Sequence, residues 1–124
     1  MSNQIILVTD PDDTVQDGKR LLFVNLDQAQ TQFVSDCINR LEKIPTVIIY
    51  IWNTGDSAEW LLDKKHKSEM VLFNADSQND LVNGYLAAQP KSYYIGTLRM
   101  FNKANVNQIL DPEQLSNALL EVIK

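Results

Sequence analysis

The sequence predicts an α/β fold, a three-layer sandwich whose mainly parallel sheet has four to five strands and helices on both faces. Three observations carry that prediction. Continuously apolar, β-branched runs recur along the chain, and TVIIYIW at 46–52 is the fullest of them. Strands covered on both faces read this way, whereas half-exposed antiparallel strands alternate. One-sided apolar helices lie between the runs, each opened by an acidic residue with capping potential. After the first strand the two kinds of element alternate, as they do when crossovers build a parallel sheet.

The elements follow in order. The run at 5–8 is a short strand ended by the loop TDPDD, expected at a sheet edge with antiparallel pairing as one option. A second strand at 21–26 is entered through the turn-forming pair Asp17-Gly18. Asp27, with Gln30 three residues on, opens a helix whose apolar stripe is Ala29, Phe33, Cys37, Ile38 and Leu41. The strand at 46–52 follows, then a helix with Asp56 as its cap and Glu59 at the capping-box spacing. A strand at 70–74 leads through the loop ADSQND to a third helix around Asn83-Gly84-Tyr85, and a strand at 93–97 closes that unit. The segment 99–110 admits three readings: an irregular crossover, an edge strand, or a mobile loop over the site. Asp111, Pro112 and Gln114 then start the last helix, with Leu115, Ala118, Leu119, Val122 and Ile123 on one face.

The chain of 124 residues reads as one domain, 1–124, without internal repeats or linkers. No apolar run approaches the roughly 18 residues of a membrane span, and the N-terminus lacks the pattern of a signal peptide. A single cysteine, Cys37, forms no internal disulfide, which suits the cytoplasm. The formal net charge of −5 argues against broad nucleic-acid binding. The abundance of Asn and Gln fits a viral (phage) or AT-rich bacterial genome.

Few side chains announce chemistry. Cys37 falls within an apolar stripe and reads as a small buried hydrophobe. His66, the only histidine, lies in KKHK and reads as part of a solvated basic helix end. No Cys/His cluster points to a metal, the four glycines are scattered rather than gathered in a phosphate loop, and no cofactor is expected. Tyr93 and Tyr94 are adjacent, so they point to opposite faces of their strand. Acidic residues Asp10, Asp12 and Asp13, with Asp17 beyond, follow the leading strand. They resemble the Mg²⁺-holding carboxylates of phosphoacceptor receiver domains, with Asp76 or Asn74 near the phosphoacceptor position, Thr97 after a later strand and Lys103 near the end. The spacing from Asp10 to Asp76 is long for that family, and its lysine-proline step is absent.

The stretch MVLFN, ADSQND, LVNGYLAA and KSYYIG resembles a second group, with an upstream Trp60-Leu61-Leu62-Asp63 that is also similar. These pieces, within roughly residues 46–98, resemble nucleoside 2-deoxyribosyltransferase-like proteins and, more distantly, TIR-type NAD hydrolases. The resemblance implies a flavodoxin-like or deoxyribosyltransferase-like sandwich, a nucleotide-related ligand, and a homo-oligomer in which a neighbour completes the site. It places the family's nucleophilic glutamate at Val82, and valine cannot trap a glycosyl intermediate. Asp80 lies two residues earlier.

Polar residues at the carboxyl ends of strands supply the expected pocket. Asn53, Asn74 and Asp76 are placed to hydrogen-bond a base edge or ribose, with Trp60, Tyr85 or Trp52 as a stacking face. The expected function is a non-catalytic module, a pseudoenzyme that binds a protein partner or a small nucleotide-like ligand. One alternative is an enzyme that cleaves or transfers an N-glycosidic bond, with Asp80 or Asp76 as acid or nucleophile. The other is a receiver-like Mg²⁺-binding switch built on Asp10, Asp12 and Asp13.

Overall fold

Backbone pairing joins β1 (Ile5–Val8), β2 (Lys19–Val24), β3 (Val47–Trp52), β4 (Met70–Asn74), β5 (Ser92–Ile95) and β6 (Val106–Gln108) into one sheet. Helices α1 (Gln28–Asn39), α2 (Ala58–Lys67) and α3 (Pro112–Ile123) accompany it. The structure, a computed structural model, describes residues 5–9, 17–74, 92–95, 106–108 and 111–123. The strand order is β1-β3-β2-β4-β5-β6, and every neighbouring pair is parallel. Strands β2 to β6 give the flavodoxin-like order, with β1 added beside β3. The leading strand is therefore an edge strand, as expected, but parallel: Ile5 to Val8 run alongside Val47 to Tyr50 in the same direction.

Alternation along the strands separates two cores. Leu21, Phe23, Val47, Ile49, Met70, Leu72 and Tyr93 face one way and meet Val34, Cys37 and Ile38 of α1 and Leu115, Ala118 and Leu119 of α3. Leu22, Val24, Ile48, Tyr50, Trp52, Val71, Phe73 and Tyr94 face the other way, toward Trp60 and Leu61 of α2. Side chains on successive residues of a strand point to opposite faces, so Tyr93 and Tyr94 divide between the two cores as expected. Both faces are covered, which is why these strands read as unbroken apolar runs.

Gly18 permits the entry to β2. A Cβ there would lie 2.6 Å from the Thr46 carbonyl oxygen, the same oxygen that accepts from the Lys19 backbone N–H at 2.9 Å. On α1 the expected stripe holds at Phe33, Cys37, Ile38 and Leu41, which are buried in or packed against the core, and departs at Ala29. Val34 is buried with Cys37 and Ile38, while Ala29 is exposed in the first turn, where the helix passes the end of the sheet. Cys37 is fully buried, and that burial pushes its thiol above the ordinary value, against the opposing effects of Arg40 and a hydrogen bond with Ser116.

Helix α2 departs from expectation at both ends. Its cap is Ser57, whose side chain accepts from the Trp60 N–H, while Asp56 turns its carboxylate to the Asn53 N–H at 2.8 Å. The basic end is only half solvated. His66 and Lys67 are exposed, but Lys64 and Lys65 are buried, Lys64 to 1% exposure. Positions 60, 61, 64, 65 and 68 form one helical stripe, so the two lysines fall on the sheet-facing side. The Lys64 ammonium lies 4.8 Å from the Tyr50 ring centroid and 6.0 Å from that of Trp60, and Nζ sits 3.2 Å from Asp63 Oδ2. Burial also lowers the Lys65 pKa. Desolvation would raise Asp63, but the hydrogen bonds and charges of Lys64 and Lys67 together outweigh it and hold this carboxyl below its ordinary value.

The segment 99–110 contributes β6, pairing its backbone with β5 from Ser92↔Val106 to Tyr94↔Gln108. Of its three readings, the edge strand holds for these three residues, and they make the sixth strand of the sheet. The third helix expected before β5 lies outside the described residues. No helix among the described residues is long and apolar enough to cross a membrane.

Candidate functional site

The strand order reverses between β2 and β4. From β2 the chain crosses to β3 on one side, and β4 returns on the other. Loops leaving such a pair diverge to opposite faces and open a crevice at the carboxyl edge, where ligands bind in open α/β sheets. The residues that line this edge are the candidate site.

Beyond β2 the chain turns sharply at Asn25, whose φ of +55° lies in the left-handed region. Asparagine tolerates this region better than other non-glycine residues because its side chain bonds locally. Here the amide clamps the next loop. Asn25 Oδ1 accepts from the Thr54 N–H at 2.7 Å, and its Nδ2 donates to Thr54 Oγ1 at 3.0 Å. The Asn25 N–H also reaches the Trp52 carbonyl at 2.9 Å, extending the β2–β3 pairing by one residue. The β3 loop itself is closed by Gly55 at φ +107° and by reciprocal bonds between Asn53 and Asp56.

The next two residues begin α1. Asp27 Oδ1 accepts from the Gln30 N–H at 2.7 Å, and Gln30 Oε1 accepts from the Asp27 N–H at 2.9 Å, a complete capping box. That same Gln30 oxygen accepts from Asn74 Nδ2 at 3.2 Å. Asn74 ends β4 and is 9% exposed. The bond therefore bridges the two sides of the crevice, from the strand that ends there to the helix that starts there. An open surface cavity of about 470 Å³ adjoins the first turn of α1, lined by Asp27, Gln28, Ala29 and Gln32.

Among the described residues positive charge is confined to one end of the strand axis, while acidic residues occur at both. All described lysines and arginines, Lys19, Arg20, Arg40, Lys43, Lys64, Lys65 and Lys67, lie at strand starts or helix ends, on the amino side of the sheet. At the carboxyl edge the described ionisable residues are Asp27, Asp56, Glu59, Asp111 and Glu113. Among the described residues the carboxyl edge thus presents amides and hydroxyls beside carboxylates. Among the described residues no group of three His, Cys, Asp or Glu side chains is placed to hold a metal ion.

The expected ligand residues are partly gathered here. Asn74 sits in the crevice. Asn53 stands exposed in the β3 loop, one residue before Thr54. Trp60 lies on the α2 face, 7% exposed and edge-on to Tyr50 with centroids 6.0 Å apart, whereas Asn74 reaches toward α1 on the opposite face. Trp60 does line a small cavity of about 80 Å³ with Thr9, Asp56 and Ser57. The Trp52 indole donates to the Ser57 carbonyl at 2.9 Å and so holds the start of α2. Asp10, Asp12, Asp13, Asp76, Asp80, Val82, Tyr85, Thr97 and Lys103 lie outside the described residues.

No protein-family model matches the chain, and no curated protein matches it. The site must be read from its own geometry. In the sequence Asp27 and Gln30 mark only a helix cap, and Asn25 and Thr54 carry no evident role. An asparagine directly after a buried apolar run is the available signal for Asn25, since that is where a chain leaving a sheet must bend.

Proposed function

We propose that the chain is a flavodoxin-like binding module that holds a small nucleotide-like ligand in the crevice between the ends of β2 and β4. It acts by binding rather than by turnover. The observation that carries this reading is the amide bridge from Asn74 to Gln30 across the topological switch point. Carboxamides stay neutral across the physiological range and offer both donors and acceptors, which suits recognition of a base edge or a ribose and does not move protons. The resemblance to deoxyribosyltransferase-like proteins supports the ligand class, and Val82 at the nucleophile position supports binding without chemistry. Cys37, a buried free thiol, accords with a cytoplasmic setting.

The test is calorimetric titration with nucleosides and nucleotides, together with an assay for free base released from deoxynucleosides or NAD. Saturable binding that is lost in Asn74→Ala, with no base released, is expected. Release of base that vanishes in Asp80→Asn would replace this reading with the glycosidic-bond enzyme.

A further inference from the structure

We propose that Gln30 is the specificity-determining residue of this crevice, selecting ligands that present a carbonyl oxygen where a close analogue presents an amino group. This rests on the binding reading above and sharpens it. The orientation of the Gln30 carboxamide is set by its partners. The Asp27 backbone N–H and Asn74 Nδ2 both donate to one atom at 2.9 and 3.2 Å, and only the oxygen accepts. The oxygen is thus committed to the scaffold on both sides of the switch. Gln30 Nε2, on the other branch of the amide, makes no hydrogen bond among the described residues, and Gln30 is partly exposed. Its two N–H groups form a donor whose direction is held by the fold.

A donor fixed in this way discriminates by polarity. A ligand carbonyl oxygen accepts from it, while an amino group in the same place sets donor against donor and leaves both unpaired. Inosine and adenosine differ in this respect at one ring position, as uridine and cytidine do. The surroundings allow a clean inversion. Gln30→Glu keeps an acceptor oxygen for Asp27 and Asn74, retains the capping box with its usual acidic partner, and replaces the donor branch with a second acceptor.

The experiment measures dissociation constants of inosine, adenosine, uridine and cytidine for the wild type and Gln30→Glu. The wild type is expected to bind the carbonyl member of each pair about tenfold tighter. Gln30→Glu is expected to keep the wild-type melting temperature and reverse the preference. Binding without a carbonyl preference in the wild type, or a preference unchanged in Gln30→Glu, overturns the role of Gln30 and leaves the binding reading intact. If the wild type binds none of the four, the binding reading falls and this inference falls with it.

Discussion

Replacing Asn25 separates the two contributions that shape the loop after β2. Its φ of +55° and its clamp on Thr54 make different demands on a substitute. Alanine fails both: the left-handed backbone costs it about 1 kcal/mol, and the lost bonds to Thr54 cost about 0.5–1 kcal/mol each at this solvent-accessible position. Asn25→Ala is therefore expected to destabilise by about 2–3 kcal/mol. Glycine adopts the backbone freely but adds about 0.5–1 kcal/mol of chain entropy and also loses the clamp, for about 1.5–3 kcal/mol in total, which for the same bond loss is up to about 0.5 kcal/mol less than alanine. Aspartate keeps the oxygen that accepts from the Thr54 N–H and forfeits only the donor, so its cost stays below about 1 kcal/mol. Urea unfolding gives each free energy, and constant m-values establish that the native state is being compared. The predicted order is Ala, then Gly, then Asp, from most to least destabilised. Equal losses for Ala and Gly would show that the backbone does not hold the left-handed turn. Equal losses for Gly and Asp would show that the Thr54 clamp contributes nothing.

Three further substitutions probe the scaffold. Gly18→Ala forces a Cβ to within 2.6 Å of the Thr46 carbonyl and should cost about 1–3 kcal/mol, read as a fall in melting temperature. Lys64→Ala should cost about 2–4 kcal/mol, since it removes both the stem packed under Tyr50 and Trp60 and the cation–π contact; Lys64→Met keeps the stem and should cost less than half as much. Burial raises the Cys37 thiol, so above the unfolded-state value of about 8.5 the unfolded chain releases a proton that the native chain retains. Stability should fall as pH rises beyond that point, by up to about 1.4 kcal/mol per unit until the native thiol ionises, and Cys37→Ala should lack this component.

Much of the scaffold was legible because its elements bury residues at their own periods. The run at 46–52 becomes β3 nearly residue for residue, and the stripe of Leu115, Ala118 and Leu119 becomes the buried face of α3. Direction was not legible for β1: four apolar residues fit an antiparallel edge as well as a parallel one, and only the register with Val47 to Tyr50 decides. β6 is three residues at an edge, too short to show a period. The start of α2 offers Asp56 and Ser57 side by side, and both are good caps; the choice falls to Ser57 because Asp56 closes the β3 loop. Lys64 misled by its chemistry, since a basic residue near a helix end normally reaches water. Its position four residues after Trp60 placed it on the buried stripe instead. At the site, Asn74 was legible as a polar residue ending a strand. Its partner Gln30 is distant in the chain, and a bond across the crevice exists only once strand order is known.

The most direct test of the central claim is a residue-resolved ¹⁵N NMR titration of the full chain with inosine. Binding at the switch point predicts saturating shifts of the Asn25, Asp27, Gln30, Thr54 and Asn74 amides and of the Gln30 side-chain NH₂, while the amino-side residues Lys19, Arg40 and Lys67 stay unmoved. Shifts centred on the amino side, or on the α2 face around Trp60 without Asn74 and Gln30, would contradict it.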